Sequence, residues 1–300
     1  MKKICVVTGT RAEYGLLKPI ISKVASSNKL DIQLIVTGMH LSNEFGLTYK
    51  EIESDGFLID KKVEILLGSD TPISISKAMG LGLISFSEAL NELNPDIVLI
   101  LGDRYEIFAL AAAAMVLCIP IAHIHGGEST EGVIDEAIRH SLTKMSQLHF
   151  VSTKEYKNRV IQLGENPERI FNVGATGIEN IKKTTLLSKN DLEKKLDIKF
   201  LKKNLLITFH PVTLELGKNT IQLENLLNVL SELDDTFLIF THPNSDSEGR
   251  SFINQILNFC CSRKNAKSFA SLGQTKYFSC IKYVDGIIGN SSSGLIEVPS

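Results

Sequence analysis

The sequence predicts an α/β protein made of two doubly wound domains, each with a parallel sheet covered by helices on both faces. Short runs rich in Val, Ile and Leu alternate with stretches of helical period along the chain. The alternation pauses at a Lys-, Asn- and Asp-rich segment, 182–203, which is predicted as a linker, and then restarts. A length of 300 residues also suits two hydrophobic cores. We therefore predict Rossmann-like domains at 1–180 and 181–300, and we expect the C-terminal one to be incomplete.

In the first predicted domain, strands and helices alternate from the first residues onward. The predicted strands are 4–8, 31–37, 97–101, 119–124, 148–151 and 170–173. The predicted helices are 16–26, 73–93, 107–117, 134–145 and 154–163. The strands are almost continuously apolar, which is typical of parallel strands buried on both faces.

The second predicted domain repeats this pattern. Its predicted strands are 205–209, 237–241, 267–270 and 284–288, and its predicted helices are 220–233, 251–261 and 275–282. A turn of small polar residues follows the last strand and leads into the start of a further helix.

Composition excludes several classes of protein. The chain is 43% hydrophobic and 22% charged, which is ordinary for a water-soluble protein. A net charge of −2 argues against a nucleic-acid or anionic-membrane partner. The five cysteines lack metal-ligand spacing and are interpreted as reduced thiols, so we expect a cytoplasmic protein.

One apolar run, 107–124, approaches the length of a membrane-spanning helix. Pro120 interrupts it, Arg104 and Glu106 precede it, and His123 lies near its end. A buried helix followed by a strand is the better interpretation. The apolar stretch at the N-terminus is too short for a signal peptide.

The turn Gly289-Asn290-Ser291-Ser292-Ser293-Gly294 is the most informative motif. A strand that leads into a helix through small hydroxyl residues offers backbone N–H groups and a positive helix end, which suits a phosphate. Glu297, one turn later, could accept a hydrogen bond from a hydroxyl of the same ligand. The alternative is an ordinary Ser/Asn turn with a capped helix.

Polar residues also follow the predicted strands of the first domain, where an open parallel sheet binds ligands. The first strand leads into Thr8-Gly9-Thr10-Arg11-Ala12-Glu13-Tyr14-Gly15, the second into Thr37-Gly38-Met39-His40, and another into Gly102-Asp103-Arg104. Arg11 suits a phosphate or carboxylate, whereas Asp103 could equally be a helix cap. Because Gly-x-Gly-x-x-Gly is missing, a nicotinamide cofactor is not expected.

The densest polar patch begins with His123-Ile124-His125-Gly126-Gly127-Glu128. Strand alternation would place His123 and His125 on one face, and with Glu128 they could bind a metal ion. No fourth ligand has suitable spacing, so no metal is predicted. The following helix spaces Asp135 from Arg139 and Glu136 from His140 by four residues, which predicts ion pairs. These pairs could be ordinary surface salt bridges, but they begin where a cleft is expected.

Two His-Pro pairs end strands of the second domain, as His210-Pro211 and as His242-Pro243 with Asn244 beside it. The repeated position predicts that both imidazoles face the same cleft. Acid/base groups facing a phosphate-binding turn indicate chemistry on a nucleotide-activated small molecule.

With these motifs in this order, the chain resembles the hydrolysing UDP-N-acetylglucosamine 2-epimerases of the sialic-acid branch, along its whole length. The motifs that carry the resemblance are the segments 8–15, 37–40, 102–104, 126–128, 138–140, 210–213 and 289–292.

The resemblance implies a two-domain glycosyltransferase-B-like fold and a UDP-sugar as the small-molecule partner. Members of the family expel UDP while the C2 proton is removed, form a 2-acetamidoglycal-like intermediate, and add water to release a free sugar with C2 inverted. The product is of the N-acetylmannosamine type and serves nonulosonic-acid biosynthesis. No cofactor and no metal is implied, and a homo-oligomer, dimer or tetramer, is expected.

The resemblance also implies roles for individual residues. The candidate catalytic residues are Asp103, His125, Glu128, Asp135, Arg139 and His210. The candidate substrate-binding residues are Arg11, Lys18, His40, Arg104, Asn244, Asn290, Ser291, Ser292, Gly294 and Glu297. Within these sets, Arg139 is expected to hold the carboxylates, the serine turn to bind the diphosphate and Glu297 to bind the ribose.

The chain departs from the family pattern at two points. Many relatives have a glutamate at the position of His125, so either Glu128 or His125 is expected to take its role. The difference suggests a UDP-2,4-diacetamido-trideoxyhexose such as UDP-N,N′-diacetylbacillosamine, on the route to legionaminic acid, as the alternative substrate. Relatives also continue beyond residue 300 with a further phosphate loop, so a truncated, inactive UDP-sugar binding protein is another alternative. A glycosyltransferase with the same fold is a third.

Overall fold

The computed structural model describes residues 1–215 and 217–299. The chain divides into two compact units, Met1–Thr176 and Gly177–Ser300. The predicted domain boundary, between residues 180 and 181, falls inside helix α7, Thr176–Lys183, which begins at the boundary of the two units.

The first unit contains a parallel sheet of seven strands in the order β3-β2-β1-β4-β5-β6-β7. The strands are β1 Lys2–Thr8, β2 Leu30–Thr37, β3 Lys61–Val63, β4 Ile97–Leu101, β5 Ile121–Ile124, β6 Leu148–Val151 and β7 Ile170–Asn172. The helices are α1 Arg11–Ala25, α2 Tyr49–Ser54, α3 Pro72–Leu93, α4 Tyr105–Val116, α5 Asp135–Met145 and α6 Lys154–Gln162. The order of the strands reverses between β1 and β4, and the carboxyl ends of strands beside such a reversal are where doubly wound sheets bind ligands.

Both faces of this sheet are buried. Successive residues of β1 point to opposite faces, so they contribute to two different cores. Cys5 and Val7 pack with Phe86 of α3 and with α4 in one core. Val6 packs with Leu17 of α1 in the other. The near-continuous apolar strands therefore reflect helices on both faces of the sheet.

The second unit repeats the topology with four parallel strands, in the order β10-β9-β8-β11. The strands are β8 Lys203–Thr208, β9 Thr236–Thr241, β10 Ala266–Phe269 and β11 Gly286–Gly289. The helices are α8 Lys189–Leu196, α9 Asn219–Ser231, α10 Gly249–Cys261, α11 Gln274–Tyr283 and α12 Ser293–Ile296. The predicted fold class, α/β with two doubly wound, Rossmann-like sheets, is confirmed.

The linker prediction for 182–203 was wrong over α8. Ser188 caps this helix by accepting a hydrogen bond from the N–H of Asp191. Leu192 and Leu196, one turn apart, are buried in the core of the second unit. Only these two positions of the helix are apolar and buried, so its sequence is largely polar although it is part of the domain.

The apolar run 107–124 divides into α4 and β5, as predicted. Among the described residues, α3 alone is long and apolar enough to cross a membrane by length and composition. Phe86 and Leu90 of α3 are fully buried in the core of the first unit. Core helices of water-soluble proteins have the same composition, so this feature is weak evidence for a membrane span.

Candidate active site

A carboxylate–guanidinium pair lies at the carboxyl end of β4. Asp103 lies two residues after the end of this strand, and the Arg139 side chain of α5, only 6% exposed, donates to its Oδ2. Arg139 also donates to Glu136 Oε2 at 3.0 Å and to Thr130 Oγ1 at 3.0 Å. A buried arginine with several acceptors is held in one orientation, so it fixes the position of the Asp103 carboxylate.

The surroundings of Asp103 change its acidity. Burial raises the pKa of Asp103 above its ordinary value, and the guanidinium groups of Arg139 and Arg104 only partly oppose this effect. The nearby carboxylate of Glu128 raises the pKa of Asp103 further. A carboxyl group with a raised pKa can both take up and deliver a proton at a pH closer to neutral.

A histidine–carboxylate pair lies at the end of β5. His125 Nδ1 is 3.0 Å from Glu128 Oε1, and Ser152 Oγ donates to the same oxygen at 2.9 Å. The other ring nitrogen of His125 is 3.2 Å from Thr176 Oγ1. Burial alone would raise the pKa of Glu128, but hydrogen bonds from His125 and Ser152 outweigh it and lower the value. The ionised Glu128 can therefore orient the imidazole of His125 through this contact.

The backbone places His125 differently from the sequence prediction. β5 ends at Ile124, and His125 has φ of +66°, which is uncommon for a residue with a side chain. Strand alternation therefore does not put His123 and His125 on one face. Among residues 1–215 and 217–299, no group of three or more His, Cys, Asp or Glu side chains is arranged to hold a metal ion.

The first turns of α5 carry the remaining acid/base candidates of this unit. Asp135 begins the helix and is half-buried. The predicted Glu136–His140 pair is present, with Nε2 of the histidine 3.1 Å from the carboxylate. Arg139 binds Asp103 of a distant loop and also Glu136.

Arg11 and Lys18, the two cations predicted to contact substrate, form ion pairs with acidic residues. Glu51 lies in α2, and Asp55 directly follows this helix. Arg11 donates to both carboxylate oxygens of Glu51, at 2.7 and 3.1 Å. Lys18 Nζ is 2.6 Å from Asp55 Oδ1. Both cations are half-buried, so these ion pairs are partly solvated.

His40, the third residue predicted there, is completely buried. Its ring nitrogens contact the hydroxyl of Thr8 at 3.1 Å and that of Thr48 at 2.7 Å. Burial lowers the pKa of His40 to about 3, so the ring is neutral. We propose that His40 supports the loop after β1 and does not contact substrate.

Two buried glutamates beside the loop that follows β1 were not singled out in the sequence analysis. Glu13 Oε2 accepts from the backbone N–H groups of Gly9 and Thr10 at 2.7 and 3.0 Å. Glu106, fully buried, accepts from Arg104 Nε at 2.8 Å. Burial and the charge of Glu106 raise the pKa of Glu13 to about 8. The Thr-x-x-Glu spacing of Thr10 and Glu13 is a capping-box signal that could have revealed Glu13, whereas nothing local marks Glu106.

This raised pKa predicts how stability depends on pH. The folded protein keeps the Glu13 proton up to about pH 8, whereas the unfolded chain loses it near the ordinary glutamate value of 4.5. Between these values the native state binds more protons, so the free energy of unfolding falls as pH rises. Glu13→Gln mimics the protonated form and should flatten that decline, which urea unfolding from pH 5 to pH 8.5 would measure. Parallel curves for wild type and variant would contradict the assignment.

In the second unit, an asparagine joins the ends of two neighbouring strands. Asn290, just after β11, accepts from the N–H of His210 and donates to its carbonyl, both at 2.8 Å. His210 follows β8, the strand that pairs with β11. These two bonds fix the backbone of His210 beside the serine turn.

The serine turn is organised by an aromatic hydroxyl and a carboxylate. Tyr277 Oη lies 2.6 Å from Ser293 Oγ, and Ser293 donates to Glu297. Burial raises the pKa of Glu297 above its ordinary value. Ser291 accepts from the N–H of Ser293 at 3.4 Å, Ser292 precedes α12, and a Cβ on Gly294 would meet open space.

His242 and Asn244, two residues of the predicted site, follow β9. His242 Nε2 is buried and has no hydrogen-bond partner among the described residues, and burial lowers the pKa of this ring. Asn244 is half-buried. That residues of both units act on one ligand stays a prediction.

Comparison with known proteins identifies the family. The model of the UDP-N-acetylglucosamine 2-epimerase family matches residues 22–300. The chain belongs to this family. It is 47% identical over 300 residues to GDP/UDP-N,N′-diacetylbacillosamine 2-epimerase (hydrolyzing) of Campylobacter jejuni, covering 99% of this chain and 78% of that protein. It is 43% identical to the polysialic acid biosynthesis protein P7 of Escherichia coli, covering 100% of this chain and 76% of that protein.

A third relative is the UDP-N,N′-diacetylbacillosamine 2-epimerase (hydrolyzing) of Legionella pneumophila, 36% identical, with 100% of this chain and 79% of the relative covered. The predicted enzyme class, a hydrolysing 2-epimerase, is confirmed.

Solved structures show the same fold. A Staphylococcus aureus MnaA–UDP co-structure has a TM-score of 0.79 at 21% identity, covering 100% of this chain and 77% of that one. UDP-GlcNAc 2-epimerase from Neisseria meningitidis bound to UDP-GlcNAc has a TM-score of 0.76 at 20% identity, with 96% and 78% covered.

Proposed function

We propose that this enzyme releases UDP and a free 2-epimeric sugar from a UDP-linked 2-acetamido sugar. The observation that carries the proposal is the pair of acid/base groups in the first unit. Asp103 is held by Arg139, and His125 is oriented by Glu128. Inversion at C2 removes a proton from one face of the sugar and delivers one to the other, so two such groups are needed.

The reaction divides into two balanced steps. In the first, a base takes the C2 proton while the bond from C1 to the UDP oxygen breaks, which gives a 2-acetamidoglycal and UDP. In the second, hydroxide from water adds to C1 and a proton adds to C2 on the opposite face. We propose that Asp103 and His125 are the two groups, one of which takes the proton from C2 while the other delivers a proton to it. Asp135 is a further candidate for either role.

The serine turn of the second unit is the proposed site of the leaving group. We propose that Ser291, Ser292 and Gly294 bind the diphosphate, that Glu297 binds the ribose, and that His210 assists departure of UDP. Hydrogen-bond donors placed where negative charge develops are an effective means of stabilising such a transition state. Arg11 and Lys18 are further candidates for the phosphate, after exchange of their partners Glu51 and Asp55.

Of the possible substrates, we favour UDP-N,N′-diacetylbacillosamine. Relatives named for that substrate are 47% and 36% identical to this chain, whereas a Neisseria meningitidis relative named UDP-N-acetylglucosamine 2-epimerase is 30% identical. The first of these names also includes the GDP-linked form. We further propose that the enzyme acts in the cytoplasm as a dimer or tetramer.

Turnover in heavy water tests the proposal. Purified protein with UDP-N,N′-diacetylbacillosamine or UDP-N-acetylglucosamine should release UDP and a free 2-epimer that carries deuterium at C2, as followed by proton NMR. We expect faster turnover of the first substrate and no loss of activity with EDTA. A product that retains the C2 hydrogen would contradict elimination, and sugar transfer to an added acceptor would indicate a glycosyltransferase. UDP binding without turnover would indicate a binding protein.

A further inference from the structure

His123 of β5 contacts all three segments that carry the candidate acid/base groups of the first unit. The residue is fully buried. Its Nε2 lies 2.7 Å from the carbonyl oxygen of Gly102, the residue directly before Asp103. Its Nδ1 lies 3.3 Å from Thr143 Oγ1, one helical turn after Arg139.

The third segment is the turn that joins His125 to Glu128. A Cβ added to Gly126 would lie 3.1 Å from His123 Nδ1 and 3.0 Å from Thr143 Oγ1. The backbone of this turn therefore lies directly against the imidazole. Movement of the ring would disturb the Asp103 loop, helix α5 and the His125–Glu128 turn together.

The partners of His123 define its tautomer. A carbonyl oxygen only accepts, so the Gly102 contact requires a hydrogen on Nε2. Nδ1 is then the acceptor, and the Thr143 hydroxyl can donate to it or to the Arg139 carbonyl at 3.1 Å. Burial lowers the pKa of His123 to about 4, with a further contribution from His149 and Arg139, so the ring is neutral around pH 7.

Two hydrogen bonds hold the backbone of Gly102 in the loop that carries Asp103. Gly102 has φ of +79°, and an added Cβ there would meet nothing within 4 Å. Its N–H donates to the Ile124 carbonyl at 3.1 Å, and its carbonyl accepts from His123. Without His123, the Gly102 carbonyl, in the peptide that joins Gly102 to Asp103, loses this bond.

We propose that His123 is a positioning residue of this site, which as the Nε2–H tautomer fixes the Asp103 turn relative to the helix that carries Arg139. The turnover measurements that test this inference rest on the proposed function. The tautomer itself is independent of any activity.

Nitrogen-15 NMR of histidine-labelled protein tests the tautomer. His123→Gln identifies the resonances by their loss. We expect the shifts of a neutral ring with hydrogen on Nε2, unchanged between pH 6 and pH 8. A ring protonated at pH 6.5, or one with hydrogen on Nδ1 alone, would overturn the proposal.

Turnover of variants tests the positioning role, with His149 as the matched control. His149 is the register partner of His123 on β6 and is just as buried, but its Nε2 faces Glu165 at 3.3 Å. We expect His123→Ala to lower kcat by about 100-fold with KM changed by less than about threefold, because small misplacements of reacting groups have effects of this size. His123→Gln can still donate to Gly102 and should recover kcat to within about tenfold of wild type. His149→Ala should lose stability but keep kcat within about threefold.

Should His123→Ala fail to fold, Thr143→Val replaces it, since this change removes the hydroxyl at nearly constant shape. We expect it to lower kcat about tenfold, the effect of losing one orienting hydrogen bond. A folded His123→Ala protein with kcat within about threefold of wild type would overturn the proposal, as would equal losses of kcat in His123→Ala and His149→Ala. Absence of turnover in the wild type would instead reject the proposed function, and the NMR measurement would then decide the tautomer.

Discussion

Replacement of Asp103 by Asn is expected to lower turnover by about 1,000-fold, because general acid/base groups contribute factors of roughly 10² to 10⁴. The amide has the same shape as the carboxyl and keeps an oxygen that can accept from Arg139. The amide of asparagine cannot take a proton from the substrate or deliver one to it. The loss should therefore appear in kcat, while folding and affinity for UDP remain close to those of wild type.

The measurement is UDP release at saturating substrate, with thermal unfolding and calorimetric titration of UDP for each variant. Asp96→Asn is the matched control, since Asp96 pairs with Lys2 at an exposed position at the other end of the strands. Its kcat should stay within about twofold of wild type. A folded Asp103→Asn enzyme that retained more than about a tenth of wild-type kcat would show that Asp103 does not exchange a reacting proton.

The sequence predicted most of the strands and long helices well and missed several of the shortest elements. The predicted strand 148–151 coincides with β6, and the predicted helix 73–93 differs from α3 by one residue. β3, Lys61–Val63, was not predicted because it has three residues, of which only Val63 is buried. Helix α2 was missed for a similar reason, since six residues are too few for helical periodicity to be recognised.

Position in the sheet explains how much of the site could be predicted. Ligand-binding groups gather at the carboxyl ends of parallel strands, so the strand pattern pointed to Asp103 and His125, whereas the resemblance to the family supplied their expected catalytic roles. The partner of Asp103 could not be found by helical spacing, because Arg139 is 36 residues away in sequence. Spacing also could not show that His40 and His123 point into the protein, since burial depends on residues from other elements.

Replacement of Gly127 by Ala is expected to be among the most destabilising single changes in the first unit. The residue lies between His125 and Glu128 and has φ of +79°. An added Cβ would lie 2.5 Å from the carbonyl oxygen of Tyr156 and 2.8 Å from Val160 Cγ2, both in α6. The backbone of a helix cannot retreat as a flexible side chain can, so Gly127 or α6 must move. Conformational strain and overpacking together should lower the free energy of unfolding by about 3 kcal/mol.

Gly164→Ala separates these two causes, because Gly164 follows the same helix with φ of +93° but would contact only the flexible end of Lys144, at 3.7 Å. It should lose only about 1 kcal/mol, the contribution of the backbone conformation. Urea unfolding of both variants measures the difference. Displacement of residue 127 also separates Glu128 from His125, so turnover should fall in Gly127→Ala and remain in Gly164→Ala. Equal losses of stability would mean that backbone strain alone explains both variants, and that close packing of this turn against α6 does not hold the histidine–carboxylate pair in place.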